Sequence, residues 1–271
     1  MQEKALKKRK EGIMKVELIH QDENEIVFTI DNINPVIANT LRRTILVEVP
    51  TLAIKEVEFR KNGSALFDEI IAHRLGLIPL TTDLKTYNLQ SECKCKGEGC
   101  ALCQVELSLP AKEEGTVYSK DMQSNDPKIH PVIGDIPIVE LDKGQKLEFV
   151  ATAVLGKGKE HMKYSPGHVY YKGYPELTVE AKTKVKEAIK LCNGLLIEKG
   201  NGVEIADLMK WTDSCEQFCE ENGVKIEYSD TKFLFFLESW GQLKPKEIVV
   251  TALDILDKKL ADFEKSFSKA K

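Results

Sequence analysis

The sequence predicts an α+β fold, on three observations. Short runs of alternating apolar residues recur along the 271 residues, as half-buried strands require. Residues 34–50 and the stretch opened by Pro245 carry helical spacing instead. Between 178 and 228, a helix-like piece, an Asn-Gly dipeptide and a strand-like piece follow one another twice.

Taken in order, residues 1–13 are polar and basic, with Lys4, Lys7, Lys8, Arg9 and Lys10. They read as a disordered tail, and Met14 offers a second start just before the first strand. Residues 15–30 predict a hairpin. Val16 and Leu18 alternate, 22–25 turn the chain, and Ile26, Phe28 and Ile30 alternate again, placing one face in a core. Asn34 is a suitable N-cap and Pro35 a suitable first helical residue. Ile37, Leu41 and Ile45 form a stripe along that helix, with Arg42 and Arg43 off it, and Pro50 ends it.

Residues 53–60 predict a strand, with Val57 and Phe59 facing one way, and 61–64 a turn. A short helix over 68–75 would group Phe67, Ile70, Ile71 and Leu75, with Gly76 as its terminator. Residues 84–165 read as a β-rich insertion: Val105, Leu107 and Leu109 alternate, as do Leu147, Phe149 and Ala151, and Asp-Pro, His-Pro and Ser-Pro steps interrupt regular structure. The repeat over 178–228 pairs a helix around 185–192 with a strand at 195–197, and a helix over 209–221 with a strand at 224–228. A strand at 233–237 precedes the last helix. There Val249, Leu253, Leu256, Leu260 and Phe263 are spaced 4, 3, 4, 3, the seam of a coiled-coil-like contact. Spacing leaves open whether the protein's own sheet or another chain's helix covers it.

Composition excludes several functions. Net charge is −4 and the pI about 5.9, with no basic stripe to grip DNA phosphates. Any link to nucleic acid therefore runs through partners. No run of 18 apolar residues exists, so no membrane helix is expected. No secretion signal precedes an odd set of seven cysteines, which points to the cytoplasm and away from a disulfide framework. No nucleophile–base pair or paired carboxylates emerge. Residues 156–159 (Gly-Lys-Gly-Lys) lack the rest of a P-loop, and His73, His130 and His161 are isolated.

Cys93, Cys95, Cys100 and Cys103 form a C-x-C-x4-C-x2-C cluster. Four thiolates suit a tetrahedral zinc with no position left for substrate, a structural site. Gly97 and Gly99 allow the tight loop. The plainer alternative is four reduced thiols. The other three cysteines, Cys192, Cys215 and Cys219, fall inside the repeat. Set against the ligand runs of a two-cluster ferredoxin, Cys192 and Cys219 take the fourth positions. The remaining positions hold Lys182, Val185 and Ala188 in one run, and Met209, Thr212 and Cys215 in the other. Neither set reaches four ligands, and Asn193 and Glu220 replace the prolines. The segment reads as a degenerate ferredoxin-like domain in which no iron–sulfur cluster is expected. Three unrelated core cysteines are the alternative.

Ala38-Asn39-Thr40-Leu41-Arg42-Arg43, then Glu48-Val49-Pro50, Ala53-Ile54, Ser64, Asp68-Glu69 and 73–80 (His-Arg-Leu-Gly-Leu-Ile-Pro-Leu) resemble the α-like subunit family of cellular RNA polymerases. Residues 158–166, 238–241 and the terminal helix extend the likeness, which covers about 15–260. The cysteine cluster and the ferredoxin-like segment point to the archaeal branch.

The resemblance implies an assembly subunit without catalytic residues. Residues 14–50 plus 229–271 would form a discontinuous dimerisation domain, and 51–177 a β-rich insert domain carrying the zinc loop at 93–103. Residues 178–228 would be the small ferredoxin-like domain. A small α-like partner, the archaeal L subunit, would pair through Ile37, Leu41, Ile45, Val249, Leu253, Leu256, Leu260 and Phe263. The large subunits, which hold the catalytic magnesium and the DNA, would dock near Arg42 and Arg43. One structural zinc is implied, and neither a small-molecule substrate nor a membrane. A ferredoxin-like redox protein, or an assembly protein regulated by an iron–sulfur cluster, is the competing reading.

Overall fold

The computed structural model describes residues 13–180, 185–192, 194–199 and 202–270. The expectation of a disordered tail falls, Ile13 apart, outside them. In chain order the elements are β1 (Lys15–Gln21), β2 (Glu25–Asp31), α1 (Pro35–Glu48), β3 (Pro50–Asn62), α2 (Asp68–Gly76), β4 (Gln104–Tyr118), β5 (Gln123–Ser124) and β6 (Pro137–Lys157). They continue with β7 (Gly167–Val179), α3 (Val185–Leu191), β8 (Leu196–Lys199), β9 (Gly202–Ile205), α4 (Asp213–Glu221), β10 (Val224–Ser239) and α5 (Pro245–Lys269). The fold is α+β, with sheets ordered β1-β2-β10-β7, β3-β6-β4-β5 and β8-β9.

Contacts divide the chain into two compact units. One holds Phe28–Ala38 and Tyr171–Phe235 with residues 13–17; the other holds Leu18–Val27, Asn39–Tyr170 and Phe236–Lys271.

In the second unit, β3, β6 and β4 form an antiparallel sheet, with Leu52 opposite Leu155 and Leu109 opposite Phe149. Alternation along these strands sends Leu107, Leu109, Leu147, Phe149 and Ala151 into one core with Ile71 and Leu75 of α2. Two departures from expectation occur at α2. Phe67 and Ile70 are exposed, so its buried stripe is Ile71 and Leu75 only, because a nine-residue helix lying on a sheet can cover just one narrow side. Gly76 does not end the helix in a left-handed turn. It is the last helical residue, and Leu77 caps in a right-handed conformation. An added Cβ at Gly76 would lie 3.6 Å from the Ile54 carbonyl, an ordinary contact, so packing against β3 does not itself demand glycine there.

The hairpin closes through Asp22, whose Oδ1 accepts from the backbone N–H of Asn24 (2.9 Å) and Glu25 (2.6 Å). Alternation misjudges burial on both of its strands. Val16 and Leu18 are exposed on β1, the edge strand, whereas β2 buries Val27 and Thr29 as well as Ile26, Phe28 and Ile30. An inner strand covered on both faces no longer alternates.

The first unit contains the repeat. Its core holds Ala188, Cys192, Leu196, Trp211, Cys219 and Val224. Gly194 and Gly223, which follow the two helices, both have left-handed φ (81° and 75°); Asn193 lies outside the described residues. α4 starts at Asp213 rather than 209, since Met209 and Lys210 donate their N–H to Asp207 Oδ1 in a turn. β9 was not anticipated. The strands expected at 224–228 and 233–237 are one strand, β10. Its polar middle pairs as well as its ends do, because ladder hydrogen bonds use only the backbone.

Candidate metal centre and contact surfaces

The four clustered cysteines lie in a loop between α2 and β4, begun by a 3-10 turn at Gln90–Glu92. Asn88 N–H donates to the Leu102 carbonyl (2.8 Å) and closes the loop's base. Lys96, Gly97 and Gly99 have φ of 56°, 88° and 91°. Three left-handed residues within four positions fold the chain back on itself, which two glycines make inexpensive. The four sulfurs lie within 4.8 Å of one another. Cys93–Cys100 and Cys95–Cys103 are each 3.5 Å apart and Cys100–Cys103 3.8 Å.

A tetrahedron of thiolates about 2.3 Å from zinc has edges of roughly 3.8 Å, so this donor set fits such an ion. The thiols differ in how readily they ionise. The Cys93 thiol, then the Gly97 and Gly99 amides, stabilise the Cys95 thiolate and bring it down to about 6. Burial, first, pushes Cys103 up to about 12. Cys103 and Cys93 are buried and Cys95 and Cys100 half-buried, so a bound ion is enclosed. The four residues could hold a metal with a filled coordination shell, which supplies cross-linking and no catalysis.

Cys192, Cys215 and Cys219 are brought into one apolar cluster. Cys192 Sγ lies 3.8 Å from the Cys215 carbonyl. Burial, first, raises Cys192 to about 11 and Cys219 to about 12, so both stay thiols at neutral pH. Among the described residues, the groups of metal-binding side chains that close together are the four-cysteine cluster and His20, Asp22 and Glu25. The latter is a partly exposed set whose Asp22 already serves the hairpin turn.

The other site residues separate into buried and exposed sets. Leu41 and Ile45 are buried in the chain itself (5% and 0% exposed), while Ile37 is 47% exposed. Asn34 caps α1, its Oδ1 accepting from Ile37 N–H at 2.9 Å. Arg42 donates to Asn39 Oδ1 through Nε (3.2 Å) and Nη2 (3.0 Å). Arg43 is exposed and makes no ion pair among the described residues. On α5, Leu253, Leu260 and Phe263 are 50%, 67% and 69% exposed; Val249 and Leu256 are half-buried. α5 buries Pro245, Ile248 and Ala252 instead.

Sequence reasoning missed Glu48, a nearly buried carboxylate ringed by Lys157, Lys159 and Lys259. Those lysines are more than a hundred positions away, and no local signal joins them. His130 and His161 serve the backbone: His130 Nδ1 lies 3.1 Å from the Pro131 carbonyl, and His161 Nδ1 accepts from Lys163 N–H at 3.1 Å.

Residues 53–169 match the RNA polymerase Rpb3/RpoA insert domain. With the α+β fold around it, that match defines the class: an α-like polymerase subunit. DNA-directed RNA polymerase subunit Rpo3 of Methanosarcina acetivorans is 40% identical over 250 residues, covering 90% of this chain and 94% of that one. The Rpo3 subunits of Pyrococcus horikoshii (41% over 258 residues, 93% and 96% covered) and Thermococcus kodakarensis (39% over 254, 91% and 95%) are similar. The chain belongs to the Rpo3 family of DNA-directed RNA polymerase subunits, the archaeal counterparts of the α-like Rpb3 subunit. These relatives lend no support to a redox protein of ferredoxin type. No helix among the described residues is long and apolar enough to cross a membrane.

Proposed function

We propose that this chain is the D subunit of an archaeal DNA-directed RNA polymerase, a non-catalytic scaffold in the cytoplasm. It pairs one-to-one with the small α-like L subunit and docks the large catalytic subunits, meeting DNA only through them. Residues 14–50 with 229–271 serve dimerisation, 51–177 form the insert domain, and 178–228 the degenerate ferredoxin-like domain. Cys93, Cys95, Cys100 and Cys103 hold one structural zinc.

The observation that carries the reading, beside family membership, is the apolar line Leu253, Leu260 and Phe263 on α5. Half or more of each of these side chains faces solvent in the single chain. Such a line at coiled-coil spacing calls for a helix of another chain. Ile37 at the start of α1 is exposed as well. Leu41 and Ile45 act from beneath, fixing α1 in its own core. Arg43, with no ion-pair partner among the described residues, suits a carboxylate on a large subunit.

Co-expression with the small α-like subunit and measurement of solution mass test the reading. A stable one-to-one heterodimer is expected. A monomer indifferent to that subunit would overturn it.

A further inference from the structure

Four sequence stretches far apart, 77–79, 132–133, 161–165 and 238–242, close with Asn24 around one cleft of about 570 Å³. Its rim is apolar: Leu77 and Ile133 are each 53% exposed, Met162 61% and Trp240 45%. Apolar side chains gathered around a concave surface mark a docking site.

Two polar groups in the cleft lack the partners their burial demands. Gln242 is 4% exposed. Its Nε2 donates to Thr51 Oγ1 at 3.4 Å, but its Oε1 is buried with no donor. A buried carbonyl left without a hydrogen bond is costly and uncommon. Lys163 is half-buried. Its Nζ donates to the Ile54 carbonyl at 2.8 Å and sits over the Tyr164 ring. No carboxylate pairs with it among the described residues, and burial pulls its pKa down. Glu238, also at the cleft, is exposed and solvated, so it asks for no counterion.

We propose that this cleft docks an apolar–acidic segment of a large polymerase subunit. A bulky apolar side chain sits among Met162, Trp240 and Ile133. An aspartate or glutamate pairs with Lys163, while Gln242 Oε1, which has no exposed surface, lies beneath the contact. The charge left uncompensated selects an acidic partner. No α5 residue lines the cleft, so the cleft and the α5 line are separate sets of residues. The inference rests on the scaffold reading above.

The test replaces Ile133, in the full chain, by a photo-crosslinking residue and irradiates the polymerase assembled with it. The expected product is a cross-link to a large subunit, at a peptide with an acidic residue within a few positions. A parallel assembly uses Lys163→Glu and Ile133→Asp. Both are expected to retain the small α-like subunit and to lose the large subunit at least tenfold under salt wash. Retention of every subunit by both variants, or cross-linking only to the small α-like subunit, overturns the docking site and leaves the scaffold reading standing. Failure of the unsubstituted chain to bind either partner overturns the scaffold reading itself. A cross-link to a peptide without acidic residues overturns the Lys163 pairing.

Discussion

Lys259 of α5 donates from Nζ to Glu48 Oε1, the last residue of α1, across 2.7 Å. A carboxylate at a helix C-terminus faces the negative end of the helix dipole, and Glu48 is 9% exposed. Burial acts to raise its pKa. The Lys259 hydrogen bond and charge, with Lys159 (3.9 Å) and Lys157 (3.6 Å), outweigh it and bring the net value below the usual 4.5. The pair ties the C-terminal end of α1 to α5.

A lowered folded pKa means the unfolded chain takes up the proton first. The stabilisation is therefore complete above the unfolded value near 4.5 and is lost as pH falls through the lower folded value. Glu48→Gln is expected to cost about 1–2 kcal/mol at pH 7, less than for a fully buried pair because Lys159 and Lys259 are half-exposed. The cost should shrink as the pH falls below 4.5. Denaturant titrations at pH 7 and at a pH below 4.5 check this, and an equal cost at each would sink it.

Zinc removal should be felt in stability. One zinc per chain is expected by elemental analysis, with Cys100→Ser lowering the stoichiometry. A chelator should lower the Tm of the unsubstituted chain and leave that of the variant nearly unchanged. Zinc undiminished in Cys100→Ser would place the metal elsewhere.

Leu260→Asp together with Phe263→Asp should abolish the heterodimer while changing the chain's own stability by about 0.5 kcal/mol or less, since both side chains are exposed. Solution mass and thermal melts of the same samples separate the two effects. A heterodimer that survives the double change means the interface lies off α5.

At Gly158 an added Cβ would stand 2.1 Å from the Leu46 carbonyl of α1. Gly158→Ala must push α1 away from the turn after β6. It is expected to cost about 3 kcal/mol, near the top of the overpacking range. Circular-dichroism melts should show the loss; an unchanged Tm would mean α1 shifts freely.

Much of this was legible in local patterns. Asn34 and Pro35 announce the start of α1 because capping and a fixed φ act within one turn. The C-x-C-x4-C-x2-C loop is legible because all four ligands lie in eleven residues. Burial was read less well. Val16 and Leu18 carry the same alternation as Ile26 and Phe28, yet only the second pair is covered. Alternation tells which residues share a face; the neighbouring strand decides whether that face is buried.

The sequence by itself determined most of the elements, the four-cysteine loop and the family, since each depends on residues close in the chain or on motif identity. Tertiary structure alone decided which half of each apolar pattern is free. It buried Leu41 and Ile45 and left Ile37, Leu260 and Phe263 exposed. It also brought Lys259 to Glu48, and Gln242 and Lys163 into one cleft. Those pairings are set by how sheets and helices pack, and packing depends on separations of tens to hundreds of residues that no local pattern records.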